Sequence, residues 1–179
     1  MERKIKPKKC RNCGEKFSPN KSTTVACSYT CALNLARKKV IEEGFKELKE
    51  KVKTLSQYEA EAKTVFQRWV RLRDKDKPCI SCGTIKCDEW AGGHFYPAGV
   101  YSGLMFDERN CHKQCNQYCN MHLSSNPHEY RKGLIKRYGQ SFVDELDLDA
   151  NIKRSYKYTK DELIEIKKTY QTKIKQLTK

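Results

Sequence analysis

The sequence predicts an α+β protein that is mostly helical, with two cysteine-rich modules joined by a basic helical segment. Three observations support this fold class. The chain has 179 residues and ten cysteines, and eight of the cysteines form four closely spaced pairs. Stretches with helical periodicity lie before and after the later pairs. The stretch between those later pairs is rich in glycine and aromatic residues and lacks this periodicity, which favours short strands and loops.

Composition limits the core and the partners. The chain is 37% hydrophobic and 33% charged, and small cores are often stabilised by metals or disulfides. No apolar run approaches the roughly 20 residues of a membrane span, and no apolar stretch follows the charged N-terminus as in a secretory signal. We therefore expect a cytoplasmic protein without a membrane partner, in which paired cysteines bind metal rather than form disulfides.

A net charge of +15 favours a polyanionic partner. Each lysine or arginine that neutralises a phosphate releases condensed counterions, so nucleic acid is the leading candidate. Basicity alone does not identify the function, because ribosomal and merely soluble proteins share it.

The N-terminal module, residues 1–31, contains Cys10, Cys13, Cys27 and Cys31. Gly14 follows the first pair, as in a tight knuckle whose backbone amides turn toward the sulfurs. Four cysteines with this spacing match a closed, tetrahedral zinc site. Buried free thiols are the alternative, and the paired spacing favours zinc.

Residues 32–55 form the predicted linker. Apolar positions recur there with helical period, while lysines crowd the other faces and Gly44 weakens the helix. We expect a long, exposed, basic helix that is solvated, with DNA contact as the alternative.

The second module, residues 56–148, opens with a predicted helix from Ser56 to about Arg73. Ser56 and Glu59 have the spacing of a capping box. Two further helices are expected after the cysteines, the first with Gly139 as its C-cap. Residues 149–179 form the predicted C-terminal helix, with its own capping box at Thr159 and Glu162.

The second module also holds the other cysteine pairs, Cys79 with Cys82 and Cys115 with Cys119. Two such pairs can bring four thiolates to one zinc ion, which would clamp the intervening strands against the following helix.

His94 lies in the segment WAGGHFYP, directly after two glycines that let the backbone approach a ligand closely. An imidazole titrates near neutrality and can take a proton from water, as phosphodiester hydrolysis requires. A divalent cation would neutralise charge on the phosphate. The alternative is a histidine that binds zinc or fills a loop, and from the residue alone this alternative is favoured.

The order of motifs along the chain resembles the HNH, or ββα-metal, nucleases. A cysteine pair is followed by Gly-His, by Asn110, and by a second pair with Asn120 directly after it. The segments RDKDKPCISCGT, GHFYP, FDERNCHKQC and CNMHLSSN resemble the NinG/Rap recombination nucleases of lambdoid phages. This resemblance runs from Cys10 to about Leu148.

The resemblance implies a zinc-stapled ββα-metal (HNH-like) core with C-terminal helices. It implies a structure-specific endonuclease that cuts branched DNA, such as Holliday junctions and D-loops, and that is encoded by a phage or prophage and acts in the bacterial cytoplasm. Recombination proteins are candidate partners. A homodimer is expected because a four-way junction has two-fold symmetry.

The resemblance also assigns residues. His94 would be the general base, Asn110 the asparagine that braces the loop, and Asn120 the third residue of the motif. His122 would bind the catalytic Mg²⁺ or Mn²⁺ or touch phosphate, while the two cysteine quartets would hold structural zinc. The predicted DNA contacts, for each of which a solubilising surface residue is an equal alternative, are Arg109, Lys113, Arg131, Lys132, Lys136 and Arg137.

Three departures from the family pattern affect this transfer. Three residues separate Cys115 from Cys119 where the family has two, so we expect a bulge. Gly93 stands where many HNH proteins have an acidic or histidine metal ligand. Asn120 replaces a histidine, but its carbonyl oxygen can still bind a hard cation. Further candidate ligands are Asp88 and His112.

Two alternative functions fit the same residues. A catalytically silent, zinc-dependent nucleic-acid-binding protein would keep the thiolates and the basic helices and would explain Gly93. An HNH nuclease without branch specificity would share the catalytic residues. His94 distinguishes the nuclease from the first alternative, because a pure binding module does not need a glycine-flanked histidine.

Overall fold

The computed structural model describes residues 5–178, which divide into two compact units between Lys53 and Thr54. The protein is α+β and mostly helical, with five α-helices and two small antiparallel sheets in the described chain. The predicted class is confirmed at this level. Within residues 5–178, no helix has both the length and the apolar character that a bilayer crossing requires.

The first unit is a hairpin followed by a long helix. Its elements are β1 (Lys8–Lys9), β2 (Lys16–Phe17) and α1 (Tyr29–Lys51). Ser28 caps α1 by accepting a hydrogen bond from the backbone of Cys31 at 3.2 Å, which places this cysteine in the first helical turn. None of the 23 described residues of α1 is buried, as expected of an exposed basic helix. Most of the predicted linker therefore belongs to the first unit.

The second unit contains the remaining elements. They are α2 (Leu55–Arg73), β3 (Trp90–His94), a 3-10 turn (Ser102–Leu104), β4 (Cys111–Cys115), a π-helix (Asn116–His122), α3 (Pro127–Tyr138), α4 (Gln140–Ile152) and α5 (Lys160–Leu177). The boundary predicted at residue 148 falls inside α4. Because α5 packs on α2, the C-terminal segment shares the compact unit of the cysteine-rich core.

The start of α2 differs from the prediction. Thr54 is the N-cap: its hydroxyl accepts from Gln57 N at 3.4 Å, and Gln57 Oε1 accepts from Thr54 N at 2.8 Å. The capping box predicted at Ser56 and Glu59 is therefore wrong, because an equivalent box two residues earlier already satisfies the free amides of the first turn. The predicted capping box of α5 and the predicted C-cap of α3, Gly139, are confirmed.

Helices cover both faces of the β3–β4 hairpin. In this register Gly92 pairs with Lys113 and Gly93 with His112, and side chains of successive residues alternate between faces. On one face, Gly92 approaches the backbone of Gln67 in α2. On the other, His112 contacts Tyr130 in α3. All five residues of β4 are buried as a consequence.

A buried ion pair ties the end of α2 to β4. Asp74 is 0% exposed and accepts from Arg73 Nε at 2.9 Å, Arg73 Nη2 at 2.7 Å and Lys113 N at 3.2 Å. Arg73 also donates to Cys111 O at 2.8 Å. Burial by itself opposes ionisation of Asp74, but hydrogen bonds from Arg73 outweigh it and lower the pKa of Asp74 to about 2. The carboxylate is therefore charged at neutral pH and fixes the hairpin against the helix.

Asp74→Asn should lower the free energy of unfolding by about 3 kcal/mol, because it leaves a partly buried guanidinium without its counter-charge. Asp76→Asn is the matched control. Asp76 is exposed two residues away, and its substitution should change stability by less than about 0.5 kcal/mol. Denaturant unfolding at pH 7 with zinc in excess measures both variants. Equal losses in the two would contradict a structural role for the pair.

Candidate metal centres and active-site cleft

Both cysteine modules contain the same knuckle. In residues 10–14, the Cys10 amide donates to Glu15 O at 2.8 Å, and the Gly14 amide donates to Cys10 O at 2.9 Å. In residues 79–84 the same two bonds recur at 2.8 and 3.1 Å. The glycine of each knuckle, Gly14 or Gly83, has a positive φ of 78° or 71°, which favours glycine. The first knuckle confirms the tight turn predicted at Gly14.

The first cluster brings four sulfurs within 4.8 Å of one another: Cys10, Cys13, Cys27 and Cys31. A backbone hydrogen bond from Cys13 lowers the pKa of the Cys10 thiol to about 6. Hydrogen bonding with the Cys13 side chain raises the pKa of Cys27 to about 12. A bound cation would displace the protons of these thiols, because a cysteine binds metal as the thiolate. The cluster fits a closed tetrahedral zinc site.

The second cluster brings three of its four predicted ligands together. The sulfurs of Cys79, Cys82 and Cys119 lie within 4.8 Å of one another, and Cys115 lies outside this group. The Cys115 amide instead donates to Cys79 Sγ at 3.3 Å. Burial, and then the neighbouring Cys87 thiol, raises the pKa of Cys115. Cys115 is thus beside the centre, with Cys87 next to it.

The bulge expected between Cys115 and Cys119 is a π-helix spanning Asn116–His122. A π-helix fits an extra residue into a helical segment and is frequent at functional sites. Here it starts directly after β4 and brings Cys119 to the second cysteine cluster. The next residue, Asn120, is thereby held in a defined position.

His94 ends β3 and is 9% exposed. Its Nε2 lies 2.8 Å from the carbonyl oxygen of Met105. Because a carbonyl can only accept, Nε2 carries the proton and Nδ1 keeps a free lone pair. Burial lowers the pKa of His94, and the hydrogen bond to Met105 partly opposes this shift. The imidazole is therefore neutral at pH 7, with Nδ1 in the form that can accept a proton.

Asn110 braces the loop between the two strands. It is fully buried; its Oδ1 accepts from Tyr96 N at 2.8 Å, and its Nδ2 donates to Tyr96 O and Leu104 O at 3.0 Å each. These bonds close the loop that carries Met105, the partner of His94. Asn110 thus positions the histidine, and it does not line the cleft described next.

A cleft of about 410 Å³ brings His94 and Asn120 together. Five polar residues of its wall were not foreseen from the sequence: Gln67, Arg71, Glu89, Asn116 and Ser125. A Cβ on Gly92 would lie 3.1 Å from Gln67 Cα, so the glycine allows α2 to close one side of the cleft. The spacing of Gln67 and Arg71, one helical turn apart, was the only sequence signal for this wall.

The other proposed metal ligands do not line this cleft. His122 is exposed, with its ring 6.2 Å from that of Tyr118. Asp88 lines a separate surface pocket. His112 is 1% exposed, and its Nδ1 lies 3.1 Å from Tyr130 Oη. Burial lowers the pKa of His112 to about 3, so the imidazole is neutral. Because it is buried against Tyr130 and outside the cleft, the prediction that His112 binds the catalytic metal is wrong.

Five of the six predicted DNA contacts have partners within the protein, and three of these five lie outside the cleft that the others line. Lys113 is 5% exposed; its Nζ donates to Lys75 O at 2.7 Å and lies 4.3 Å from the centre of the Trp90 ring. This burial corrects the prediction that Lys113 touches phosphate. Arg109 forms ion pairs with Asp107 and Asp149. Arg131 forms a bidentate ion pair with Asp147.

The other three predicted contacts share a second cleft. Lys132, Lys136 and Arg137 of α3 line a space of about 450 Å³ beside the knuckle of residues 78–83. Glu129 also lines it and accepts from Lys132 Nζ at 2.9 Å, so the three cations outnumber one carboxylate. Arg137 Nη2 donates to Pro78 O at 3.0 Å, which orients the guanidinium beside the knuckle. This basic cleft is the surface on which the predicted phosphate contacts come together.

Residues 2–179 match a family model described as Bacteriophage Lambda NinG protein. The chain belongs to the NinG family. Protein ninG of Escherichia phage 933W is 41% identical over 126 residues, which are 70% of this chain and 61% of that relative. The ninG proteins of Salmonella phage P22 and Escherichia phage lambda are each 40% identical, with 70% of this chain and 60% of each relative covered.

The NinG resemblance inferred from the sequence is thus confirmed as family membership. The match spans less than two thirds of the length of these phage relatives. No solved structure is significantly similar to the chain.

The zinc-loaded chain should contain two zinc ions. Cys13→Ser should lose the ion of the first cluster. Cys115→Ser should lose that of the second, because a closed zinc site needs four ligands and the assembled group supplies three thiols. Cys87→Ser is the matched control and should retain both ions. Elemental analysis after dialysis gives the stoichiometry. Loss of zinc in Cys87→Ser with retention in Cys115→Ser would contradict the predicted ligand set.

Proposed function

We propose that this NinG-family chain is a metal-dependent endonuclease that hydrolyses DNA phosphodiesters at branched recombination intermediates. The observation that carries the proposal is the 2.8 Å contact between His94 Nε2 and the Met105 carbonyl oxygen, because it assigns the proton to Nε2 and leaves Nδ1 as the acceptor of a residue that lines a polar cleft. A histidine kept neutral by burial and aimed by a backbone carbonyl is suited to take a proton from water.

The order of elements around the cleft supports an HNH-type interpretation. A strand ending in His94 is followed by a loop braced by Asn110, a second strand, and a helical segment that carries Asn120. This is the arrangement that the ββα-metal resemblance implies. The second cysteine cluster includes Cys119 of the same segment, and zinc bound there would stabilise the segment without taking part in the reaction.

In this proposal His94 Nδ1 accepts the proton of the attacking water, while Met105 holds the ring in place. Arg71, on the wall of the cleft, would attract the phosphate. The oxygens of Asn120 and Glu89 are the ligand type that Mg²⁺ and Mn²⁺ prefer. Such a cation would neutralise charge that develops on the scissile phosphate and the leaving 3′-oxygen.

The substrate class is supported by charge and by family. The net charge of +15 favours nucleic acid, and the basic cleft at Lys132, Lys136 and Arg137 offers phosphate contacts away from His94. Specificity for branched DNA, a homodimer, partner recombination proteins and action in the host cytoplasm rest on the resemblance to the NinG/Rap nucleases.

Cleavage of a labelled four-way junction and of a matched linear duplex tests this function. Wild-type protein with Mg²⁺ or Mn²⁺ should cut the junction, and EDTA should stop cutting. His94→Ala should lower the rate about a hundredfold or more, since general-base catalysis contributes about 10²–10⁴-fold, while junction binding persists. His128→Ala is the matched control, because His128 is exposed at the start of α3, and it should cut normally.

Each alternative has a distinct outcome. Junction binding without cutting by wild-type protein under every metal condition would make the chain a zinc-dependent DNA-binding protein. Equal cutting of junction and linear duplex would leave the nuclease and remove its branch specificity.

The rate of cleavage should rise with pH as His94 loses its proton. Because burial lowers the pKa of His94 below its ordinary 6.5, the neutral base is already populated at pH 6.5, and the midpoint of the rise should lie below that value. Single-turnover rates over about two pH units to either side of 6.5 give the profile, with folding checked at each pH. A midpoint above 6.5 would contradict the assignment of His94 as a buried base.

A further inference from the structure

A buried amide oxygen in β4 has no hydrogen-bond partner among the described residues: Gln114 Oε1. Gln114 is 0% exposed, and its Nε2 donates to Ser81 Oγ and to Ser125 O at 2.6 Å each. Because the Ser125 carbonyl can only accept, the amide cannot be reversed. The oxygen is therefore held in the opposite direction, and a buried acceptor without a partner needs an explanation.

A second amide oxygen is oriented by a relay of hydrogen bonds. The Glu89 carboxylate accepts from Asn116 Nδ2 at 2.8 Å, so Asn116 turns its Oδ1 toward Asn120. Asn120 Nδ2 then donates to this oxygen at 3.1 Å. The Glu89 carboxylate thereby determines which way the amide of Asn120 faces, and Asn120 Oδ1 points away from the relay.

Both oxygens converge on Gly93. A Cβ built on Gly93 would overlap Gln114 Oε1 and would lie 3.2 Å from Asn120 Oδ1. Gln114 Oε1 therefore occupies the place that a side chain at position 93 would need, and Asn120 Oδ1 lies beside that place, one residue before His94. Two converging acceptors repel each other unless a donor or a cation lies between them, and amide carbonyls are good ligands for hard cations.

We propose that Gln114 Oε1 and Asn120 Oδ1 are ligands of a divalent cation of the Mg²⁺ or Mn²⁺ type. Gln114 supplies from β4 the oxygen that Gly93 cannot supply from β3, and the glycine is needed because any side chain there would displace Gln114. The catalytic use of this cation rests on the proposed function, whereas its binding does not.

Binding of Mn²⁺ to the zinc-loaded full chain, followed by the loss of the free-ion signal in electron paramagnetic resonance, tests the site. Gln114→Met removes the oxygen at similar volume and should weaken binding about tenfold or more, as expected for altering a metal site. Ser81→Ala is the matched control. It removes one partner of Gln114 Nε2, leaves Oε1 in place, and should keep the wild-type affinity.

A second variant covers the case in which Gln114→Met loses its zinc or fails to fold. Gln114→Glu keeps an oxygen beside Gly93 and adds a charge, so it should bind Mn²⁺ more tightly than wild type. Wild-type affinity in folded Gln114→Met, weaker or unchanged affinity in folded Gln114→Glu, or no Mn²⁺ binding by wild type would each overturn the site.

Failure of this inference and failure of the proposed function are distinguishable. If wild type cuts DNA through His94 but Gln114→Met keeps its Mn²⁺ affinity, the site is wrong and the nuclease stands. If Gln114 is needed for Mn²⁺ binding but wild type cuts no DNA, the site stands and the function is wrong.

Discussion

The buried pair of Arg73 and Asp74 is the interaction on which the second unit depends. It fixes β4 to the end of α2 through the backbone of Cys111 and Lys113. Since β3 is paired with β4, the same contact sets the distance between His94 and the α2 wall of the cleft. The pair is stabilising only while both charges are present, because a lone buried charge is costly.

Each of the two cysteine clusters lies within its own unit. The first cluster organises the first unit, which otherwise has only a two-residue hairpin and an exposed helix. The second cluster takes Cys119 from the π-helix, and Asn120 follows directly. A metal at that cluster would therefore fix the backbone of a residue in the cleft without entering it, as supporting residues of functional sites do.

Much of this organisation can be predicted from the sequence, because a metal cluster or a turn depends on residues that are close together along the chain. Paired cysteines predict metal clusters, and a glycine after the pair predicts a positive-φ turn. The start of α2 was missed since Thr54 with Gln57 and Ser56 with Glu59 both satisfy the capping rule.

Burial of Lys113 was also missed, because helices on both faces of the hairpin leave β4 no exposed side and this covering is a tertiary effect. The orientation of the amides depends on partners distant in sequence, Glu89 for Asn120 and Ser81 for Gln114, which no local pattern reveals.

The central claim, that His94 is the base of a phosphodiester hydrolase, is tested most directly by chemical rescue. His94→Ala would be assayed on a four-way junction with Mn²⁺, with and without added imidazole, at a pH where imidazole is neutral. The account predicts that the variant alone cuts about a hundredfold or more slowly than wild type and that imidazole restores metal-dependent cutting at the wild-type sites. Cutting by His94→Ala at the wild-type rate without imidazole would contradict the account.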